Sequence, residues 1–474
     1  MKRKDTVITM FIVVLAFLLI GFAAYFLINH FRFTPIKDEA LRYDILRELN
    51  LLEYEGDEAR PTREDLKRLK SLTHDFQKSK EPVTTLKGIQ HATELEKLII
   101  HFNEIDNLKP LKNLTNLHTL NLSHLDKEGA ASLSKPENMI KDIKPLKKLT
   151  SLKKLYLSGN EMEDLSLLQN LEQLEELYLA NNRLEEIPKS LTNLKNLKTL
   201  YLTDNSVENI ETLGELNHLE VIHLEGNSIQ DFSPLKSLTS LKELNMLHNS
   251  QDLSDISFLK NLENLEDLMI SFPENVDYSP LGHITNLKDL TILDSDVDRV
   301  DFVDELSNLE SLKVLRSNLS SLEGIQHAQN LKSLNVSYNE IKELKPLENL
   351  TGLRHLKLDE NKISSIDSLK NLTSLISLQL NKNQLTNIEV LKYLPKLVRL
   401  ELDANDILDV EVISNLSRLR FLSLKDNEIE NYRGLGPSLN LERLFIDGNP
   451  NVVTKVSFSL LRYNNDDIYI DVLN

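Results

Sequence analysis

The sequence predicts an elongated α/β solenoid: short parallel strands stacked one repeat upon the next, with tight return segments between them. Three observations carry this. The chain has 474 residues, 41% of them hydrophobic, which is large for one compact globule and points to several domains or an elongated core. From Leu95 onward a single 22-residue pattern recurs, L-x-x-L-x-L-x-x-N-x-I-x-x-L-x-x-L-x-x-L-x-x. Within it the apolar spacing changes from period two to period three, as a strand followed by a tight return does.

Units begin at Leu95, Leu117, Leu152, Leu174, Leu197, Leu219, Leu241, Leu265, Leu287, Leu309, Leu331, Leu353, Leu375, Leu397, Leu419 and Leu441, sixteen in all. They are called repeats 1 to 16 below. Repeat 2 carries 13 extra residues around DKEGAASLSKPENM, and repeats 4 and 7 run to 23 and 24. No unit buries its leucines alone, so units must stack and share a core. The strands then line the concave side of a curved horseshoe at roughly 4.8 Å per unit. The ninth-position Asn is expected to turn inward, its amide satisfying backbone groups of neighbouring turns.

This template resembles the leucine-rich-repeat family, in the 22-residue class of internalin-like proteins, over residues 95–449. The helical spacing of residues 38–56 and of PTREDLKRLKSL, with Leu66, Leu69 and Leu72 on one face, then VTTLKGIQHATEL, looks like the helical N-cap of that class. Thr62 and Asp65 have the spacing of a capping box. NVVTKVSFSLLRYNNDDIYIDVLN, residues 451–474, breaks the register and is expected to close the core. It carries no LPxTG-type sorting signal, which suits tethering by a membrane helix instead.

Such a helix is expected near the N-terminus. Val7 to Ile28 contain no charge in 22 residues, roughly 33 Å of helix and enough for the hydrocarbon core. Gly21-Phe22-Ala23 could serve a cleavable signal peptide, but the apolar run continues through Tyr25-Phe26-Leu27-Ile28. Lys2, Arg3 and Lys4 place the tail in the cytoplasm and the remainder outside. The expected domains are a tail (1–6), a signal anchor (7–28), a juxtamembrane segment with N-cap (29–94), the repeats (95–449) and a C-terminal cap (450–474).

Composition narrows function. Net charge is −18, and no basic stripe suits nucleic acid. With no cysteine, disulfides, thiolate metal sites and cysteine nucleophiles are excluded. No G-x-S-x-G, P-loop, H-E-x-x-H or kinase signature occurs, so no enzyme activity, cofactor or small-molecule substrate is expected. Asp294, Asp296, Asp298 and Glu305 match an EF-hand calcium spacing, but Arg299 takes its glycine position. Val297, Val300, Val303 and Leu306 moreover fall on core positions of the repeat. His101, His118 and His124 occupy exposed strand positions and read as polar surface, too loose a trio for zinc.

A protein partner on the concave face is the leading expectation. Tyr156, Tyr178 and Tyr201 fall on adjacent strands and form an aromatic ladder continued by His223. A second patch comprises Leu247, Met269, Phe272, Leu293 and Leu315 beside Arg316. Exposed aromatic and aliphatic groups near an arginine have the composition of a binding hot spot. Ladders of like residues also stabilise sheets by cross-strand contact, and the two roles are compatible. A structural spacer at the envelope is the alternative, as is an adaptor inside the cell if the topology is inverted. Three consecutive repeats replace the Asn by Pro273, Ser295 and Ser317, and repeat 2 has Leu125 there. The scaffold is expected to relax at repeats 8 to 10 and to expose apolar surface.

Overall fold

The computed structural model describes residues 20–21, 36–52, 60–74, 76, 81–100, 103–124, 140–249, 255–272, 276–433, 435, 439, 441–450 and 469–471. Most of the expected membrane anchor, the repeat-2 insertion, His101, Leu125, Pro273 and most of the C-terminal cap lie outside them. Among the described residues no helix is long and apolar enough to cross a membrane. The chain divides into two compact units, Met1–Val207 and Glu208–Asn474.

The first unit opens with α1, Glu39–Glu48, capped by Asp38. One Asp38 carboxylate oxygen accepts from Leu41 N–H at 2.9 Å and the other from Thr84 N–H at 2.7 Å, which ties the helix to the next layer. The second helix, α2, spans Arg63–Lys67 and starts with the expected Thr62–Asp65 capping box. It is shorter than the apolar spacing suggested. Leu66, Leu69 and Leu72 are all buried, but Leu72 lies in a strand, Ser71–His74, that pairs in parallel with Lys97–Ile100 of repeat 1. The reason is that Leu69-x-x-Leu72-x-His74 already follows the repeat template, so the chain enters the solenoid one turn early. His74 fills an apolar position with no exposed surface. Its Nδ1 lies 2.5 Å from Asp44 Oδ2 on α1, and Arg47 contacts the other Asp44 oxygen at 2.9 Å. A buried charge is tolerated only with such partners.

Repeats 1 to 5 then contribute Lys97–Ile100, Thr119–Asn121, Lys154–Tyr156, Glu176–Tyr178 and Thr199–Tyr201, all parallel. The insertion leaves the register intact: Leu120 still pairs with Leu155. In the second unit, repeats 6 to 16 run from Val221–His223 to Arg443–Phe445 in the same manner. A last strand, Tyr469–Asp471, pairs in parallel with Arg443–Phe445. Return segments form 3₁₀ turns, such as Ser166–Asn170 and Asp367–Asn371, as period-three leucines demand. In repeat 13, Leu375, Leu378, Leu380, Leu385, Leu391 and Leu394 have no exposed surface. At about 25 cal/mol per Å² of apolar burial, these columns are the main stabilising term.

The ninth-position asparagines form the expected inward ladder. Asn361 Nδ2 donates to Val336 O (3.0 Å) in the preceding repeat and to Leu358 O (3.1 Å) in its own. Its Oδ1 accepts from Ile341 N–H at 3.0 Å. Asn383, Asn405 and Asn427 repeat the arrangement. The amide thus satisfies backbone groups of two layers where no sheet hydrogen bond reaches them.

The residue before each Asn turns the chain. Asn181, Asp204, His248, Asp294, Arg316, Tyr338, Glu360, Lys382, Ala404 and Asp426, with Gly159, Gly226 and Gly448, are left-handed at this slot. Phe272 and His124 occupy it in repeats 8 and 2 and are not left-handed. Both are buried instead, at 0% and 5% exposure. A residue before proline is held in the extended region, so the sequence Phe272-Pro273 denies the usual turn and sends the phenyl ring into the core.

The serine-bearing repeats respond differently. Asp289–Leu293 and Ser311–Leu315 are five-residue strands, whereas the Asn-bearing repeats 11 to 16 have strands of three. Ser295 Oγ donates to Leu293 O and Ser317 Oγ to Leu315 O, each at 2.8 Å. The expected relaxation is therefore a lengthening of the sheet, not a loosening.

Candidate functional site

Residues at the third, fifth and seventh positions of each repeat flank the buried leucines and supply the solvent face of the sheet. In the first unit Tyr156, Tyr178 and Tyr201 stack with ring centroids 4.5 and 4.4 Å apart and interplanar angles of 21° and 17°. They sit in register on adjacent strands and are each half-buried. Tyr156 Oη donates to Glu176 Oε2 at 2.8 Å, and Lys154 holds the other Glu176 oxygen at 2.6 Å. Burial, then this hydrogen bond, push the Tyr156 hydroxyl pKa above its ordinary value. The ladder is thus rigid, with its outer edges in solvent.

In the second unit His223 is half-buried, its Nε2 2.7 Å from Glu243 Oε1. That hydrogen bond holds Glu243 below the usual carboxylate range. The proposed second patch divides. Leu247 is 6% exposed and Phe272 has no exposed surface, so neither offers a partner anything. Phe272 is inward for the backbone reason given above. Met269, Leu293 and Leu315 are half-buried and Arg316 is exposed. Leu293 and Leu315 face each other in register because their strands extend that far. Arg316 clamps Asp294 through Nε (2.5 Å) and Nη2 (3.0 Å), holding that carboxyl below its usual range.

Two features of this face escaped the sequence reading, which followed the fifth, seventh and eighth positions but not the third. The third position of repeats 7 to 9 carries Glu243, Asp267 and Asp289, paired in register. Burial, then the charges of Asp289 and Glu243, raise Asp267 to about 6. In repeats 14 to 16, the Arg399 guanidinium lies 3.8 Å over the Phe421 ring, and Phe421 and Phe445 are 5.4 Å apart.

The decoys also resolve. Val297, Val300, Val303 and Leu306 are buried as the repeat template requires, and Arg299 pairs with Asp301 at 3.0 Å. Among the described residues no group of three or more His, Asp or Glu side chains is placed to hold a metal ion. His118 is exposed, but His124 is buried, contrary to the exposed position expected of it.

Family models agree with this repeat geometry. A leucine-rich repeat region model matches residues 129–280, a two-copy leucine-rich repeat model 329–371, and a leucine-rich repeat model 351–407. Internalin InlF of Listeria monocytogenes is similar at 26% identity and TM-score 0.54, over 81% of this chain and 94% of its own. The chain is similar to internalin-like leucine-rich-repeat proteins. The functional domain of InlJ from the same organism shares the fold at 21% identity and TM-score 0.58, over 87% of this chain and 80% of its own. A leucine-rich-repeat protein of Leptospira interrogans does so at 23% and 0.65, over 86% and 97%. A comparison with curated proteins finds no match. Likeness of fold does not fix function, which depends on the particular side chains the fold carries.

Proposed function

We propose that this chain is a membrane-tethered, extracytoplasmic recognition module that binds a protein partner through the solvent face of its sheet, without catalysis. The observation that carries the reading is the tyrosine ladder. Three stacked, half-exposed rings offer a large, rigid contact area at low entropic cost. The uncharged run Val7–Ile28 behind Lys2, Arg3 and Lys4 supports an anchor with the repeats outside.

The stacking itself favours one second reading, a rigid spacer whose ladder only braces the sheet. One experiment separates them. Tyr156, Tyr178 and Tyr201 are replaced together by alanine in the full-length chain, and crosslinked partners are recovered from intact envelopes. Recognition predicts a partner captured by the unaltered chain and lost on substitution while circular dichroism is retained. Equal capture by both leaves the spacer. Topology has its own test: protease applied to intact cells should remove the repeats, and their survival would place them inside.

A further inference from the structure

Two neighbouring columns of the second unit treat charge in opposite ways. At the second position of repeats 6 to 11, Glu220, Lys242, Glu266, Lys288, Glu310 and Lys332 alternate in sign. They close ion pairs of 2.7 Å (Lys242–Glu220), 2.6 Å (Lys288–Glu266) and 2.6 Å (Lys332–Glu310). One residue further along, Glu243, Asp267 and Asp289 place three carboxyl groups in register on consecutive strands. Like charges directly opposite each other destabilise a sheet. Glu243 has His223, but among the described residues Asp267 and Asp289 form no ion pair or hydrogen bond through their side chains. A column that the adjacent one shows could have been neutralised is left acidic.

The second observation is independent of charge. Among the described residues, strands reach five residues only where Ser295 and Ser317 replace the ladder asparagine, and this brings Leu293 and Leu315 side by side onto the sheet. The two columns overlap in the strand Asp289–Leu293, where Asp289 and Leu293 lie four residues apart, roughly 13 Å at 3.3 Å per residue. Between them stand Met269, Thr291 and Lys313.

We propose that the sheet face of repeats 7 to 10 docks a segment of a partner protein that sets lysine or arginine against Asp267 and Asp289 and an apolar side chain against Leu293 and Leu315. The charge complement and the spacing both follow from the face: an extended segment with cation and apolar group four residues apart matches it. The partner's cation supplies what the fold withholds. Glu243, Asp289, His223 and Lys313 are the charged groups around Asp267, and its raised pKa of about 6 is the signature of that unrelieved repulsion and burial. This inference rests on the recognition reading above and gives that partner a chemistry.

The probe is a fluorescein-labelled peptide, Lys-Ser-Thr-Ser-Leu-Gly repeated twice, titrated against the full-length chain by anisotropy. Asp267→Asn with Asp289→Asn, and separately Leu293→Ser with Leu315→Ser, should each weaken binding at least tenfold. The charge-matched control Asp367→Asn with Glu389→Gln, in the 3₁₀ turns Asp367–Asn371 and Glu389–Tyr393, should change it less than twofold. A peptide with Glu in place of Lys should not bind. Circular dichroism verifies that each variant is folded; should the leucine pair unfold the chain, Leu315→Ala alone, expected to weaken binding about threefold, replaces it. No binding by the unaltered chain, or equal loss in the aspartate variant and the control, overturns the inference. Either result leaves the tyrosine test of the broader reading standing, because those residues lie in the other unit.

Discussion

Asn339 Oδ1 accepts hydrogen bonds from both Ser317 N–H (3.0 Å) and Leu319 N–H (3.1 Å) of the preceding repeat. In an uninterrupted part of the ladder, Asn383 Oδ1 takes Ile363 N–H alone. Ser317 Oγ donates back to its own Leu315 O and accepts from Ser295 N–H of the repeat below at 3.4 Å, while the asparagine above covers the Ser317 amide as well. Asn383→Ala strands Ile363 N–H and takes one of two asparagine donors from each of the Leu358 and Leu380 carbonyls, which keep Asn361 and Asn405. With about 1–3 kcal/mol per buried group left unsatisfied, the loss should be about 3 kcal/mol. Ser317→Ala removes one short hydroxyl and should cost about 1 kcal/mol. Urea titration gives the ranking, and hydrogen exchange should show Ile363 N–H losing protection in the first variant. Retained protection there would refute the ladder's role.

Phe272 should behave as a core residue. It is among the largest fully buried side chains, so Phe272→Ala should destabilise the second unit by about 3–5 kcal/mol. Phe272→Leu, which keeps most of the volume, should cost under about 1.5 kcal/mol. A surface role would give the reverse pattern, with unchanged melting and lost binding. Calorimetry of both variants decides.

How much of this was legible from sequence depends on which physical constraint fixes each residue. Leucines at fixed period determine their own burial, so the repeat, its strands and its asparagine ladder could be read directly. The early strand Ser71–His74 was hidden because His74 stands where the template has leucine, and partners distant in sequence, Asp44 on α1 and the Glu81 carbonyl, make that histidine a core residue. Phe272 was misassigned because the direction of its side chain is set by the sign of a backbone angle, which Pro273 controls. Leu293 and Leu315 were found, but their exposure comes from strand length, which a serine-for-asparagine exchange does not announce. Asp267 lay in the third-position column, which was not followed.

The tyrosine ladder should contribute to stability as well as to recognition. Tyr178 stacks on both neighbours, and at about 0.5–1.5 kcal/mol per aromatic pair Tyr178→Ala should cost about 1–3 kcal/mol. Tyr178→Phe keeps both contacts and should melt within a degree or two of the unaltered chain. Thermal melts of the two variants make the comparison. A phenylalanine variant as unstable as the alanine one would mean that the hydroxyl, not the stacking, holds the ladder.

Asp267 gives a signed pH dependence. Its pKa is raised to about 6 by burial and by Asp289 and Glu243, above the unfolded aspartate value of about 3.9. Between these limits the folded chain binds more protons than the unfolded one, so this group adds stability as pH falls from about 6 toward 4 and opposes folding above 6. Asp267→Asn abolishes the titration. The variant should therefore melt higher than the unaltered chain at pH 7.5, and the gap should shrink on acidification to pH 4.5. Carboxyl groups held low, such as Asp294 beside Arg316, act in the opposite sense in both proteins and cancel in the difference. Paired melts across this range measure that difference. A gap that is constant with pH would show that Asp267 carries an ordinary pKa and that its column is relieved of repulsion in the free protein.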